Sequence, residues 1–150
     1  MVSERHSKEI LAETEFLFGL RENDPHHPAV SKILRLSKNG ILKVRILSSA
    51  VIELRAVLYS HGLSPMEVKE VCSLMDLQLS DMDIQTYEPL ILSDVVLAER
   101  LRMETPKLTF FDSLHAAVAK RLNKPLISDD PIYPEAGVKT LSFKEAQEIG

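Results

Sequence analysis

The chain has 150 residues, 45% of them hydrophobic and 27% charged, with a formal net charge of −4 and one cysteine. This balance predicts a single globular domain large enough to bury its own core, and it excludes a disordered chain and a disulfide scaffold. The acidic balance argues against broad, non-specific nucleic-acid binding, while leaving room for a local basic surface.

Taken in order, the sequence alternates strand and helix signals, the mark of a parallel α/β sheet. Lys8–Ala12 reads as a first strand, with Glu13 at its end and a helical turn over Thr14–Leu20. After the polar loop at 21–24, Pro25 leads into a helix over His26–Leu36 that Asn39-Gly40 ends. The tandem His26-His27 reads as a solvated helix start. Lys43–Leu47 is the second strand, and Ser48 or Ser49 can cap the helix Ala50–Ser60. Ser64-Pro65 opens another helix running to Leu77, with serine as cap and proline in the first position. Met82–Thr86 reads as a third strand, followed by a helix over Leu92–Arg102.

The stretch Phe110–Tyr133 carries the strongest organisation. Phe110, Leu114, Val118 and Leu122 keep near-helical spacing over Thr109–Leu122, and Asn123 and Pro125 stop the helix. Leu126-Ile127 then reads as a short buried strand followed by Asp129 and Asp130. Val138–Leu141 and Phe143–Ile149 read as a last strand and helix. Cys72, among Val68, Val71, Leu74 and Met75, reads as a buried structural thiol. The amino terminus has no apolar run long enough for a signal peptide and no segment can span a bilayer, so a cytoplasmic protein without membrane contact is expected.

Several acids converge on one edge of this sheet. Glu53 sits in the nearly apolar run AVIELRAVLY, with Ala50, Ala56 and Val57 at helical spacing. An ionised carboxylate on such a face is costly unless paired or bound to a cation. Asp112 lies in Thr109-Phe-Phe-Asp112, which matches a capping box, beside a stripe of His115, Ala116 and Ala119 that leaves room for a ligand or a close-packed neighbour. His115 itself reads as a hydrogen-bonded helix histidine. Asp129 and Asp130 follow a buried strand in the turn SDDPIYP, and Glu13, with Glu15 two residues on, follows the first strand. Ligands bind at the carboxyl ends of strands in open α/β sheets. Clustered carboxylates repel unless a cation neutralises them; an all-oxygen set suits Mg²⁺ or Mn²⁺, and no Cys/His spacing for zinc appears.

Glu13-Thr-Glu-Phe-Leu17, Ser49-Ala-Val-Ile-Glu53-Leu54, Phe111-Asp112-Ser-Leu-His-Ala-Ala117 and Ile127-Ser-Asp-Asp130 together resemble the PIN-domain nucleases. The nearest similarity is to the small VapC-type toxins of prokaryotic toxin–antitoxin pairs, and it covers almost the whole chain. The resemblance implies a three-layer α/β/α PIN-like fold with a central, mainly parallel sheet of four or five strands. It also implies a ribonuclease that uses Mg²⁺ or Mn²⁺ to hydrolyse RNA. On this resemblance Glu13, Glu53, Asp112 and Asp130 are the catalytic acids, and together with Asp129 they hold the metal. Ser128, Arg55 and Lys107 are candidate contacts for the RNA substrate, with Lys120 and Arg121 as further cations. The first acid of the family is an aspartate, whereas this position is Glu13, longer by one methylene. A catalytically silent PIN-like interaction module is therefore the alternative. A phosphatase with an aspartyl nucleophile fits poorly, because Glu13-Thr-Glu15 stands where such folds place Asp-x-Asp. The family also implies a homodimer and an antitoxin protein as partners. The apolar surplus of the helix after Ser64 (Met66, Val68, Val71, Leu74, Met75, Leu77, Leu79) is either core or such an interface.

Overall fold

The computed structural model describes residues 8–150. The amino-terminal stretch read above for a leader lies mostly outside them. The chain forms β1 (Lys8–Ala12), α1 (Thr14–Phe18), α2 (His27–Lys38), β2 (Leu42–Leu47), α3 (Ser48–Ser60) and α4 (Pro65–Asp81). It continues through β3 (Tyr87–Glu88), α5 (Leu92–Glu104), α6 (Phe110–Leu122), β4 (Leu126–Ile127), α7 (Ile132–Glu135), β5 (Thr140–Leu141) and α8 (Phe143–Gln147).

The five strands make one parallel sheet in the order β3-β2-β1-β4-β5. Helices flank the sheet, so its central strands are buried on both faces and read as continuous apolar runs instead of alternating ones. Ile10, Leu11 and Ala12 are all fully buried in β1, which pairs with β2 from Lys8↔Leu42 to Ala12↔Ile46. Removing each such large side chain from water stabilises the fold by roughly 1.5–3 kcal/mol. The chain begins in the middle of the sheet, grows outward through β2 and β3, then returns to the other side of β1 for β4 and β5. The reversal leaves a crevice at the carboxyl ends of β1 and β4, where ligands bind in sheets of this kind.

Local chemistry explains most boundaries. Ser64 and Glu67 form a reciprocal capping box at the start of α4, with Pro65 in its first turn. Asn123 ends α6 in the left-handed conformation, at φ 52°, so that Pro125 can turn the chain into β4. Three expectations need correction. The third strand is Tyr87–Glu88, not Met82–Thr86: Met82 caps α4 and Asp83 turns through φ 58°, so pairing with β2 begins only where Ile46 N–H donates to Thr86 O. Neither Ser48 nor Ser49 caps α3, because both lie inside its first turn and the capping position is Leu47, which has no side-chain cap. Cys72 is half-buried, along a groove between helices, and not sealed in the core. On α4, Val68, Met75 and Leu79 are core while Met66, Leu74 and Leu77 are exposed. No helix of the described residues is long and apolar enough to cross a membrane.

Candidate active site

The ends of three strands and the start of one helix deliver the acids. Glu13 follows β1 directly and is 3% exposed. It caps α1, its Oε1 accepting from Glu15 N–H at 3.0 Å. β2 runs without a loop into α3, which sets Glu53 in the second turn above the sheet edge. The first turn of α6 carries Asp112 and the next carries His115. Ser128, Asp129 and Asp130 leave β4 on the other side of Glu13.

A buried hydrogen-bond chain ties three of these elements together. His115 is fully buried, with Ser49 Oγ 2.8 Å from its Nδ1 and Glu53 Oε1 3.0 Å from its Nε2. The Thr14 hydroxyl donates to the same Glu53 oxygen and lies 3.4 Å from His115 Nε2. Burial pulls the Glu53 carboxyl up, but the hydrogen bonds from His115 and Thr14, with the His115 charge, outweigh it and leave its pKa below the ordinary value. With Glu53 ionised, Nε2–H is the donor, and in the neutral ring Nδ1 accepts from Ser49. Glu13, Glu53 and His115 each offer an atom within 4.8 Å of the others. Both His115 nitrogens are already engaged, so His115 braces the acids and is not a free ligand.

The remaining acids are similarly anchored by one oxygen. Asp112 Oδ1 accepts from the Tyr133 hydroxyl at 3.0 Å. The expected capping box is therefore half formed: Thr109 Oγ1 accepts from Asp112 N–H, while the carboxylate turns to Tyr133. Burial first, then Glu13 and Asp112, push the Tyr133 hydroxyl so far up that it stays a donor. Asp129 Oδ1 accepts from Phe143 N–H and Asp130 Oδ1 from Ile132 N–H, each at 3.0 Å. Ser128 is buried, and its Oγ accepts from Asp130 N–H at 3.1 Å.

The electrostatics mark these groups as one cluster. Burial raises the Glu13 pKa well above the ordinary glutamate value, and the neighbouring charges of Glu15, Glu53 and Asp112 add to it. Glu15 is also raised, by burial and by Asp130, Asp129 and Asp112, against the opposing charge of His26. Glu15 Oε2 is buried without a hydrogen-bond partner. Among the described residues no lysine or arginine forms an ion pair with any of these acids. A buried acidic oxygen without a hydrogen bond, amid carboxylates that no lysine or arginine pairs with, fits a hard cation with oxygen ligands. His26 is not a plain solvated residue: its ring stacks on Phe143 with centroids 4.0 Å apart and lies 3.9 Å from both Glu15 Oε2 and Asp129 Oδ2. His27 bonds through Nδ1 to Gly19 O at 3.0 Å.

None of the proposed cations forms an ion pair with a crevice acid among the described residues. Arg55 packs over the Tyr59 ring and lines the apolar groove beside α3 and α4; Lys107 is exposed in the loop before α6. Lys120 donates to Ala136 O, and Arg121 clasps Asp94. The Ala116–Ala119 stripe is buried, so it admits a close-packed neighbour and not a ligand. Ala56 is exposed, so the face of Glu53 is less apolar than the sequence suggests. Sequence reasoning missed the roles of Ser49, Tyr133 and Thr14; the Ser49–Glu53 spacing of one helical turn, facing a buried histidine, was the available signal.

Solved structures of known proteins share this architecture. A chain of VapBC2 from Rickettsia felis, bound to a DNA fragment from their promoter, superposes with a TM-score of 0.68 at 17% identity over 89% of this chain and 98% of that one. A chain of VapBC-1 from nontypeable Haemophilus influenzae gives a TM-score of 0.62 at 14% identity over 91% and 98%. This is a PIN-like fold. No protein-family model matches the sequence, and no similar sequence is found among curated proteins. At these identities the likeness concerns the fold, with its all-parallel sheet between helices.

Proposed function

We propose that this chain is a single-domain, cytoplasmic, divalent-cation-dependent ribonuclease, acting as the toxin of a toxin–antitoxin pair. The observation that carries the reading is the set of carboxylates at the β1/β4 crevice of a PIN-like fold that no lysine or arginine among the described residues pairs with, with Glu13 buried and Glu15 Oε2 buried without a hydrogen bond. Glu13, Glu53, Asp112 and Asp130, with Asp129 beside them, would hold Mg²⁺ or Mn²⁺. When bound, such a cation supplies an acidified water and neutralises charge on a phosphodiester and its leaving oxygen.

This chain's own residues supply the rest. His115 and Thr14 hold Glu53 ionised and fixed, which suits it to orient water or a ligand. Tyr133 holds Asp112. Ser128 fixes the turn that presents Asp130, a positioning role in place of the phosphate contact suggested by the sequence. Glu15, from the same helical turn as Glu13, joins the acidic set. Arg55 and Lys107 remain proposed contacts for the RNA strand beyond the crevice. An antitoxin segment would lie in the apolar groove of about 580 Å³ lined by Leu17, Val51, Leu54, Cys72, Met75 and Tyr87, and the exposed apolar side chains of α5 suit a homodimer. Both solved neighbours come from VapBC assemblies, which supports an antitoxin partner.

One observation favours the silent-module alternative: the position directly after β1 is Glu13, one methylene longer than the aspartate that the resemblance implies there. The deciding experiment is incubation of RNA with the purified protein in Mn²⁺, Mg²⁺ or EDTA, alongside Asp112→Asn. Cleavage that needs the cation and Asp112 supports the ribonuclease. No cleavage by the wild-type protein in either cation favours the interaction module.

A further inference from the structure

Two buried side chains hydrogen-bond the crevice acids from behind without carrying an acid of their own. His115 is fully buried and Tyr133 is 1% exposed, and each has a hydrogen bond to a carboxylate oxygen. His115 and Thr14 both engage Oε1 of Glu53, and Tyr133 engages Oδ1 of Asp112. Among the described residues no hydrogen bond involves Glu53 Oε2 or Asp112 Oδ2, and neither atom is sealed from solvent. The same division is thus made twice, on two different helices, by two chemically different donors.

We infer that His115 and Tyr133 are positioning residues that each occupy one oxygen of a crevice carboxylate, so that Glu53 and Asp112 can offer a cation only one oxygen apiece. The inference rests on the cation reading of the site given above, and it adds a selectivity. A small octahedral cation such as Mg²⁺ or Mn²⁺ takes single carboxylate oxygens and keeps several waters. Ca²⁺ instead accepts more ligands in a flexible geometry and commonly takes both oxygens of one carboxylate. The two-oxygen mode is disfavoured for both, most for Glu53, whose Oε1 already accepts from His115 and Thr14, and for Asp112 because Tyr133 claims one lone pair of Oδ1 and fixes its orientation, so the crevice discriminates against Ca²⁺. Donors that are not permanent cations suit this role, because a lysine or arginine would neutralise the acid and remove the attraction for a cation. Outer partners of this kind orient ligands throughout metalloprotein chemistry.

The test is calorimetric titration of the purified protein with MnCl₂ and with CaCl₂, for the wild type, Tyr133→Phe, and Thr14→Val combined with His115→Leu or with His115→Gln, with thermal melts of each. Thr14→Val is included because the Thr14 hydroxyl holds the same Glu53 oxygen; glutamine keeps an N–H donor at the histidine position, whereas leucine keeps only bulk. The expected result is a wild-type preference for Mn²⁺ over Ca²⁺ that falls by about tenfold in Tyr133→Phe and in Thr14→Val/His115→Leu and is recovered in Thr14→Val/His115→Gln. Folded variants that keep the wild-type preference would overturn the inference and reduce both residues to packing. Wild-type protein that binds neither cation would overturn the cation reading itself, and the inference with it. Should Thr14→Val/His115→Leu fail to fold, Tyr133→Phe decides alone, since it removes one hydroxyl from a residue of unchanged shape.

Discussion

The molecule treats its acids in two opposite ways. Away from the crevice, the buried Glu88 and Asp94 and the half-buried Glu9 are matched with cations: Arg45 bridges Glu9 and Glu88 across β1, β2 and β3, Lys124 meets Glu9, and Arg121 grips Asp94. In the crevice, among the described residues, Glu13, Glu15, Glu53, Asp112, Asp129 and Asp130 have only one another, histidines and neutral donors. Desolvated charge is costly unless matched. A fold that matches it at one place and leaves it unmatched at another marks the second as the place where something from outside supplies the charge.

The contrast can be broken from either side. Asp112→Asn removes a charge from the unmatched cluster, and Mn²⁺ affinity is expected to fall by about a hundredfold or more, at or beyond the upper end of what losing an outer partner costs. Arg45→Ala breaks the matched side. It leaves Glu88 buried without its partner, and unfolding in urea should show a loss of about 2–3 kcal/mol; this is less than for a sealed pair because Arg45 is partly exposed. The same variant should bind Mn²⁺ as the wild type does.

A smaller effect sharpens the comparison through pH. The folded Glu13 carboxyl holds its proton above the range in which the unfolded chain releases it. Stability of the cation-free protein should therefore decline as pH rises from about the ordinary glutamate value through the raised folded one. Glu13→Gln cannot ionise, and near pH 8 without metal its Tm should exceed that of the wild type by about 2–4 °C. The gain should shrink as pH falls to the ordinary glutamate value of 4.5 and vanish well below it, where the carboxyl is protonated in both states. An unchanged Tm at both pH values would mean that Glu13 is not strained by its neighbours. Ser64→Ala, which removes the α4 cap far from both regions, should cost about 1 kcal/mol and leave both the pH slope and Mn²⁺ binding untouched.

Much of this contrast was legible in the sequence, because periodicity and strand-end position are local. β1, β2, the Ser64 cap and the α6–turn–β4 unit follow from apolar spacing, proline and a left-handed asparagine. The crevice acids were found by noticing that separate segments end at one sheet edge. What escaped were partners distant in sequence. Ser49 looked like a helix cap until α6 brought His115 against it, 66 residues away. Tyr133 could not be tied to Asp112 because its short helix α7 is capped by Pro131 and contains Pro134, a stretch that reads as a turn. The third strand was set too early, since Met82 and Ile84 look extended although Asp83 turns the chain between them.

The central claim is that the crevice carboxylates form a divalent-cation site, and titration calorimetry of MnCl₂ into wild-type protein and Asp112→Asn tests it most directly. The account predicts saturable binding in the wild type and its loss in the folded variant. Absence of binding in the wild type, or equal binding in both, would contradict it.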